Sequence, residues 1–381
     1  MEKRHCFGTL YKYELLKILK NKVVIVTFLF LLVYTFIQGE FAVSGKVSSQ
    51  DLGKYEEING RAIDEELLVE LKSLSDEAGN IKDETKKGYT KLYSWISDAM
   101  DYRSPLTDLD IEKVYAGREH NMQDGYEAMR LTPQEISVWQ DKEKNLKKPF
   151  IYYDDTRSSG LLEGMRNCMI MIVMVIAASL SSIFALETQR KTDPMIRATI
   201  NGGKEVYFAK VLAGMSYILS CAAVLLITFY LYTALRWGFT GLDCLVQVYL
   251  PSTSLNMTLK KLLLILITLI VLGAILISSF TLFLSNLTRN SVVTMTIVLC
   301  TYIGLMIAAI EVPLKFRFLS HFLSMLPGTM VSPRLVYDFR LIKIGKYFMS
   351  YQIAPIMYIL FSVVFIACGY VFYKRYEIKS N

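Results

Sequence analysis

Five long stretches without a single charged side chain constrain this chain more than any motif: Cys168–Leu186, Val211–Leu235, Leu262–Leu284, Val292–Ile310 and Ile353–Phe372. A helix needs roughly 20 mostly apolar residues to cross the hydrocarbon of a bilayer. A sixth run, Val23–Ile37, is shorter and reaches spanning length only by taking in Gln38, Gly39 and Glu40. Composition agrees: of 381 residues 53% are hydrophobic and 20% charged, against about 45–50% and about 25% in soluble domains. Apolar runs alternate with charged stretches, which excludes a simple soluble enzyme and a disordered chain.

Charge is as uneven as hydropathy. The net charge is +7, yet residues 46–159 hold 17 basic and 24 acidic side chains, so this block is −7 and the remainder +14. The basic total therefore does not point to nucleic acid. It is the signature of an acidic block inserted in a basic membrane frame, since Lys and Arg collect on the cytoplasmic side of spans. Six spans place both termini on one side. The segments 1–22, 187–210, 285–291 and 373–381 carry 15 Lys and Arg, against nine for 236–261 and 311–352. The bias puts both termini in the cytoplasm and the acidic block outside.

These patterns predict an all-α integral membrane protein with six transmembrane helices. Residues 1–22 form a cytoplasmic amphipathic helix with Tyr11, Leu15, Ile18 and Leu19 on one face and Lys12, Lys17 and Lys20 elsewhere. Residues 23–43 form the first span, 44–162 a mostly helical extracellular domain, and 163–381 a membrane domain with five further spans. Ala42-Val43-Ser44 resembles a small-residue cleavage site, but the patterned leading segment favours a retained anchor. In the acidic block, Thr132-Pro133-Gln134-Glu135 reads as a capping box, Leu67, Leu68, Leu71 and Leu74 have helical spacing, and Tyr89, Tyr93, Trp95, Tyr115, Tyr126 and Trp139 supply a small core.

The five strong runs contain no ionisable side chain, which disfavours an ion-coupled carrier. Small hydroxyls do occur there, among them Ser179, Ser182, Ser278, Thr294 and Thr301. They serve either helix–helix hydrogen bonding or contact with a transported molecule. No G-x-x-x-x-G-K-[ST] is present, and neither Gly45-Lys46 nor Gly203-Lys204 supplies one. There is no G-x-S-x-G and no H-E-x-x-H. Six cysteines (four of them, Cys168, Cys221, Cys300 and Cys368, in apolar runs) and three scattered histidines, His5, His120 and His321, make neither a disulfide framework nor a metal site. The chain has a membrane path and no motor, so no catalytic residue and no cofactor is assigned.

The segment between the second and third runs is the most informative. Glu187 stands where the second run ends. A short helix follows near Thr192-Asp193-Pro194, with Thr192 or Asp193 as cap and Pro194 at its first position, ended by Asn201-Gly202-Gly203. A short rigid helix between two spans can transmit force from a cytoplasmic partner; an ordinary positive-inside loop is the other reading.

In its order of features the chain resembles the permease subunit of the ABC-2 type transporter superfamily: an inner amphipathic helix, six spans, Glu187, Thr192-Asp193, Gly203-Lys204 and Lys210, then the short loop at Ser285–Asn290. Leu314–Leu326 and a second piece after Pro327-Gly328 resemble that family's re-entrant outer helices, near 314–349. The resemblance implies one half of an exporter in a plasma membrane, a homodimer or a heterodimer with a related permease, above separate ATPase subunits that bind the ATP. It also implies that Glu187 to Arg197 is the coupling segment, with Arg190, Lys191 and Arg197 meeting acceptors on the ATPase. The cargo stays open among peptide, drug, lipid and ion. A receptor or scaffold that senses a ligand through its outer block is the alternative.

Overall fold

A computed structural model describes residues 2–45, 52–76, 81, 86–100, 106–199, 202–238 and 241–375. Helix α1 (Glu2–Leu19) turns sharply at Lys20 and Asn21 into α2 (Lys22–Ser44), whose first free N–H groups are met by the Asn21 side chain accepting from Val23 N. The outer block comprises α3 (Leu52–Tyr55), α4 (Glu65–Leu74), α5 (Lys87–Met100), α6 (Ile111–Ala128) and α7 (Pro133–Lys144). The chain then returns through α8 (Thr156–Leu180), α9 (Ser182–Gln189), α10 (Asp193–Arg197) and α11 (Lys204–Trp237). Helices α12 (Leu259–Thr288), α13 (Ser291–Glu311), α14 (Arg317–Ser324) and α15 (Pro327–Met330) precede a hairpin of β1 (Leu341–Ile344) and β2 (Lys346–Met349), and α16 (Ser350–Arg375) closes the described chain.

Six helices are long and apolar enough to cross a membrane: α2, α8 continued by α9, α11, α12, α13 and α16. They alternate in direction, so one end of the bundle carries α1, α10 and the end of α16, and the other carries the acidic block and both longer connections. Helix α12 is the hub. It packs on α8, α11, α13 and, most extensively, α16, while α2 leans on α8 and α11. The faces turned away from the hub are bare hydrophobic side chains, Phe30, Val33, Ile310 and Leu360 among them, as lipid or a partner requires.

The structure corrects the all-α expectation. Residues 341–349 form an antiparallel hairpin with Leu341 opposite Met349 and Ile344 opposite Lys346. The sequence Leu-Ile-Lys-Ile-Gly-Lys-Tyr-Phe-Met is rich in strand formers, and Gly345 takes φ +67 at the turn, a conformation glycine adopts without strain. The second span is also longer than its uncharged run, because α8 starts at Thr156 and carries Glu163, Arg166 and Asn167 on an exposed face. Pro327 dips against the middle of α12, where a Cβ on Gly273 would lie 3.0 Å from the proline Cβ.

The capping box is present in both directions: Glu135 N donates to Thr132 Oγ1, and Thr132 N to the Glu135 carboxylate at 2.8 Å. The block's aromatics divide between two cores. Tyr89 and Trp95 pack with Leu67, Leu68 and Leu71 inside the block, with Tyr93 and Tyr115 on its margin. Tyr126 and Trp139 join the core of the span bundle, each edge-on to Phe339.

Polar bonds continue this attachment. Trp139 Nε1 donates to Phe339 O at 2.7 Å, and Trp95 Nε1 to Gln247 O at 2.8 Å. Arg118 reaches the carbonyls of Pro251 and Thr253, and Glu135 accepts from Leu341 N and Arg317. Beside them Asp338 accepts from Arg340 and Ser350.

Three carboxylates at this junction titrate low. Burial raises Glu143, but hydrogen bonds and charge from Arg118, with Lys148 and Ser254, outweigh it. Burial likewise opposes, and fails to prevent, the lowering of Glu135 by the N–H groups of Thr132 and Leu341 and by Arg317. Asp338 is held low by Arg340 against burial. A carboxyl depressed in the folded state contributes stability that is complete above its unfolded pKa of about 4 and lost as pH falls through the folded value. Hydrogen exchange across 111–144 and 246–258 is therefore expected to be flat from pH 7 to about pH 5, after correction for intrinsic rates, and to rise below pH 4. Exchange that stays flat down to pH 3 would show that these carboxylates do not hold the junction.

Candidate functional site

At the end of the bundle that carries α1, three helices converge on one buried lysine. Lys210, in the second turn of α11, has no solvent exposure. Its Nζ lies 2.6 Å from Glu187 Oε1 and 3.3 Å from Glu14 Oε2, and also reaches Ile183 O at 3.4 Å. Lys17 closes the ring, donating to Glu14 Oε1 at 2.7 Å and Glu187 Oε1 at 2.9 Å. Two cations and two carboxylates from α1, α9 and α11 thus neutralise one another, with Lys210 wholly buried behind the carboxylates and Lys17 half in solvent in front of them; a lone charge at the Lys210 position would be costly.

Helix geometry brings them together. On α1, Tyr11, Glu14, Leu15 and Ile18 lie at three- and four-residue spacings and face α11; Glu14 and Ile18 are buried, Tyr11 and Leu15 half-buried. Leu19 departs from the expected face and is 46% exposed. The seam needs only one turn's width beyond Leu15, and Ile18 fills it.

The helical ladder of the second span is interrupted where this site begins. Between α8 and α9 the Ser285 hydroxyl, from α12, donates to Ser181 O at 2.7 Å and accepts from Phe184 N and Ala185 N. A side chain inserted in this way interrupts the helical ladder one turn before Glu187 meets Lys210. Helix α9 then ends in a Schellman motif: Thr192 N donates to Glu187 O and Lys191 N to Thr188 O, with Lys191 left-handed at φ +58.

Helix α10 is fixed from the opposite side. Arg197 Nε pairs with Asp193 Oδ1 at 2.7 Å, Nη1 donates to Tyr373 O at 2.8 Å, and the guanidinium stacks over the Tyr373 ring at 4.0 Å. Tyr373 OH donates to Gly202 O, and a Cβ at Gly202 would lie 2.1 Å from Ile196 O, so only glycine fits there. The caps differ from expectation. Thr192 stands at the N-cap position and Pro194 in the first turn, but no side chain caps α10: the Thr192 hydroxyl turns back to Glu187 O, and Asp193 is spent on Arg197. Asn201 lies outside the described residues.

The structure therefore separates the predicted coupling residues. Glu187, Asp193 and Arg197 are engaged within the chain. Arg190, Lys191 and Pro194 are exposed, and beside them Met195 is 74% exposed. The hydroxyls singled out in the spans are dispersed. Ser179 donates to Val175 O, Ser182 to Ser179 O and Thr294 to Asn290 O. Thr301 lines an apolar cavity of about 310 Å³ between α12, α13 and α16, with Tyr302 and Phe365. Ser278 alone of the five is a buried hydroxyl with no partner among the described residues.

Glu14 and Tyr373 were not singled out from the sequence. Glu14 left one signal: apart from Glu2 it is the only acid in the basic leader. Tyr373 left none.

Six apolar crossing helices and a charged, internally neutralised junction at one end define a multi-pass helical membrane protein. The match to known sequences makes the class particular. A family model for ABC-2 family transporter proteins covers residues 9–378, and the chain belongs to that family as an ABC-2 type permease. No curated protein and no solved structure matched it.

Proposed function

We propose that this chain is the permease subunit of an ABC-type exporter in a plasma membrane, with both termini cytoplasmic, driven by separate ATPase subunits that dock on α9 and α10. One observation carries the reading. The α9–α10 arm is clamped at both ends, by Lys210 through Glu187 and by Tyr373 through Arg197, yet its tip presents Pro194 and Met195 bare beside Arg190 and Lys191. A clamped arm with an uncovered apolar tip transmits a push from a docked partner into α1, α8, α11 and α16 together. Two copies, or one with a related permease, supply the complete path. The cargo is a peptide, drug, lipid or ion, and the five uncharged runs, which offer hydroxyls, favour an amphipathic or apolar one.

The test is recovery of an ABC ATPase with the full-length chain. Wild type is expected to retain the ATPase on purification. Met195→Glu with Lys191→Glu should weaken retention by about tenfold or more, the cost of losing a central apolar anchor and reversing a rim charge. Both side chains are exposed, so melting of the permease should not change. Wild type recovered without an ATPase, or undiminished retention by the variant, overturns the reading.

A further inference from the structure

The corner between α1 and α2 opens on a cleft of about 780 Å³ that runs along α9 to Thr192. Four cations line it: Lys17, Lys20, Lys22 and Arg190. Its two carboxylates, Glu14 and Glu187, are already neutralised by Lys210 from behind and by Lys17. That leaves Lys20, Lys22 and Arg190 as exposed positive groups converging from two sides of one concavity. Asn21 and Lys22 are also the start of a 23-residue helix, whose positive dipole end favours an anion.

Position narrows the anion. Lys22 is immediately followed by the apolar face of α2, beginning at Val23 and Val24, so the cleft lies at the level where lipid headgroups meet hydrocarbon. Its floor adds Ile183 and Leu186, an apolar surface next to a cationic rim. A basic pocket between crossing helices at this depth is suited to an anionic headgroup with the first methylenes of its chains.

We propose that this cleft binds the phosphate-bearing headgroup of an anionic phospholipid, with Lys20 and Lys22 on one side and Arg190 on the other. The phosphate bridges the α1–α2 corner to the α9–α10 arm. Anionic lipid therefore stiffens the same junction that Lys210 holds from inside. The proposal rests on the membrane placement of the bundle and not on the docking of an ATPase, so each can fail alone.

Full-length protein in a neutral detergent is titrated with phosphatidylglycerol, phosphatidylcholine or inorganic phosphate, and lipid retention is read by native mass spectrometry alongside the melting temperature. Phosphatidylglycerol is expected to bind and raise the melting temperature, and phosphatidylcholine to do neither. The variant Lys20→Gln, Lys22→Gln, Arg190→Gln should lose phosphatidylglycerol affinity by roughly a hundredfold while melting normally without lipid. Lys260→Gln with Lys261→Gln, at the other end of the bundle, should bind as wild type. Inorganic phosphate that competes fully at low millimolar concentration would reassign the site to free phosphate and overturn the lipid assignment. Equal retention of the two lipids, or full retention by the triple variant, overturns it as well.

Discussion

Replacing Lys210 with methionine is expected to release α1 from the bundle, destabilising this junction by about 3–5 kcal/mol, the cost of removing one partner from a buried charge pair. Lys210 is wholly buried between Glu14 and Glu187. Without it two largely buried carboxylates lie side by side, and only Lys17, with half its side chain in solvent, is left to answer them. Because the lysine also reaches Ile183 O, a carbonyl loses a donor in the same substitution.

The readout is local opening. Tryptic cleavage in the α1–α2 corner, at Lys20 and Lys22, is expected to accelerate by about two to four orders of magnitude if opening is fast relative to cleavage. The triple variant Glu14→Gln, Glu187→Gln, Lys210→Met removes the three buried charges together, leaving only the half-exposed Lys17, and should recover most of the protection, because a buried ion cluster replaced as a unit costs little. Wild-type cleavage kinetics in Lys210→Met would mean that α1 is held by Tyr11, Leu15 and Ile18 alone and that the charge ring is incidental. If the ring is the transmission element, the triple variant is the informative case for transport: stable, inserted, and without the polar link between α1, α9 and α11.

What could be foreseen here follows from which interactions are local in sequence. Six crossing helices were legible because their cause is a property of each run by itself. The capping box at Thr132 was legible because both halves sit three residues apart. The hairpin at 341–349 is visible in the sequence as an apolar, β-branched and aromatic run around Gly345, whereas the family resemblance points to helices there. Extension of α8 back to Thr156 was hidden because Glu163, Arg166 and Asn167 interrupt the apolar run. Their exposure is tolerable only because that end of the helix rises to the outer block.

The site was legible only in outline. Glu187 and Lys210 stood out at the edges of apolar runs, but a helical wheel scored for apolar residues cannot nominate Glu14, whose partner lies 196 residues away. The Schellman stop at Lys191 was equally hidden, since it places a lysine where glycine is the usual choice. Tyr373 gives no sign at all, because a tyrosine at the end of a last span is ordinary interfacial chemistry until α10 is seen against it.

The second large effect is expected at the other end of the bundle, with Arg118→Leu. Arg118 is fully buried and uses its guanidinium three ways: Nε to Pro251 O at 2.7 Å, Nη2 to Thr253 O at 2.7 Å, and Nη1 to Glu143 Oε1 at 2.6 Å. Its plane also lies 5.1 Å from the Phe150 ring centre. Leucine would leave two carbonyls without these donors and the Glu143 carboxylate with only Lys148 and Ser254. A loss of about 3–5 kcal/mol is expected on the same grounds as at Lys210, and Arg118→Lys should recover little of it, since an ammonium cannot reproduce the planar fork. The measurement is hydrogen exchange in α6 and in 246–258, which should rise together because Arg118 is shared between them, while the core around Leu67, Leu71 and Trp95 stays protected. That pattern would make the outer block two units, an inner core that folds on its own contacts and a face bolted to the connection between α11 and α12. Exchange that rises through the whole block would show instead that its core depends on the spans beneath it. Unchanged exchange would mean that Trp95, Trp139 and Glu135 suffice, and that the outer block is anchored to the membrane domain without the arginine.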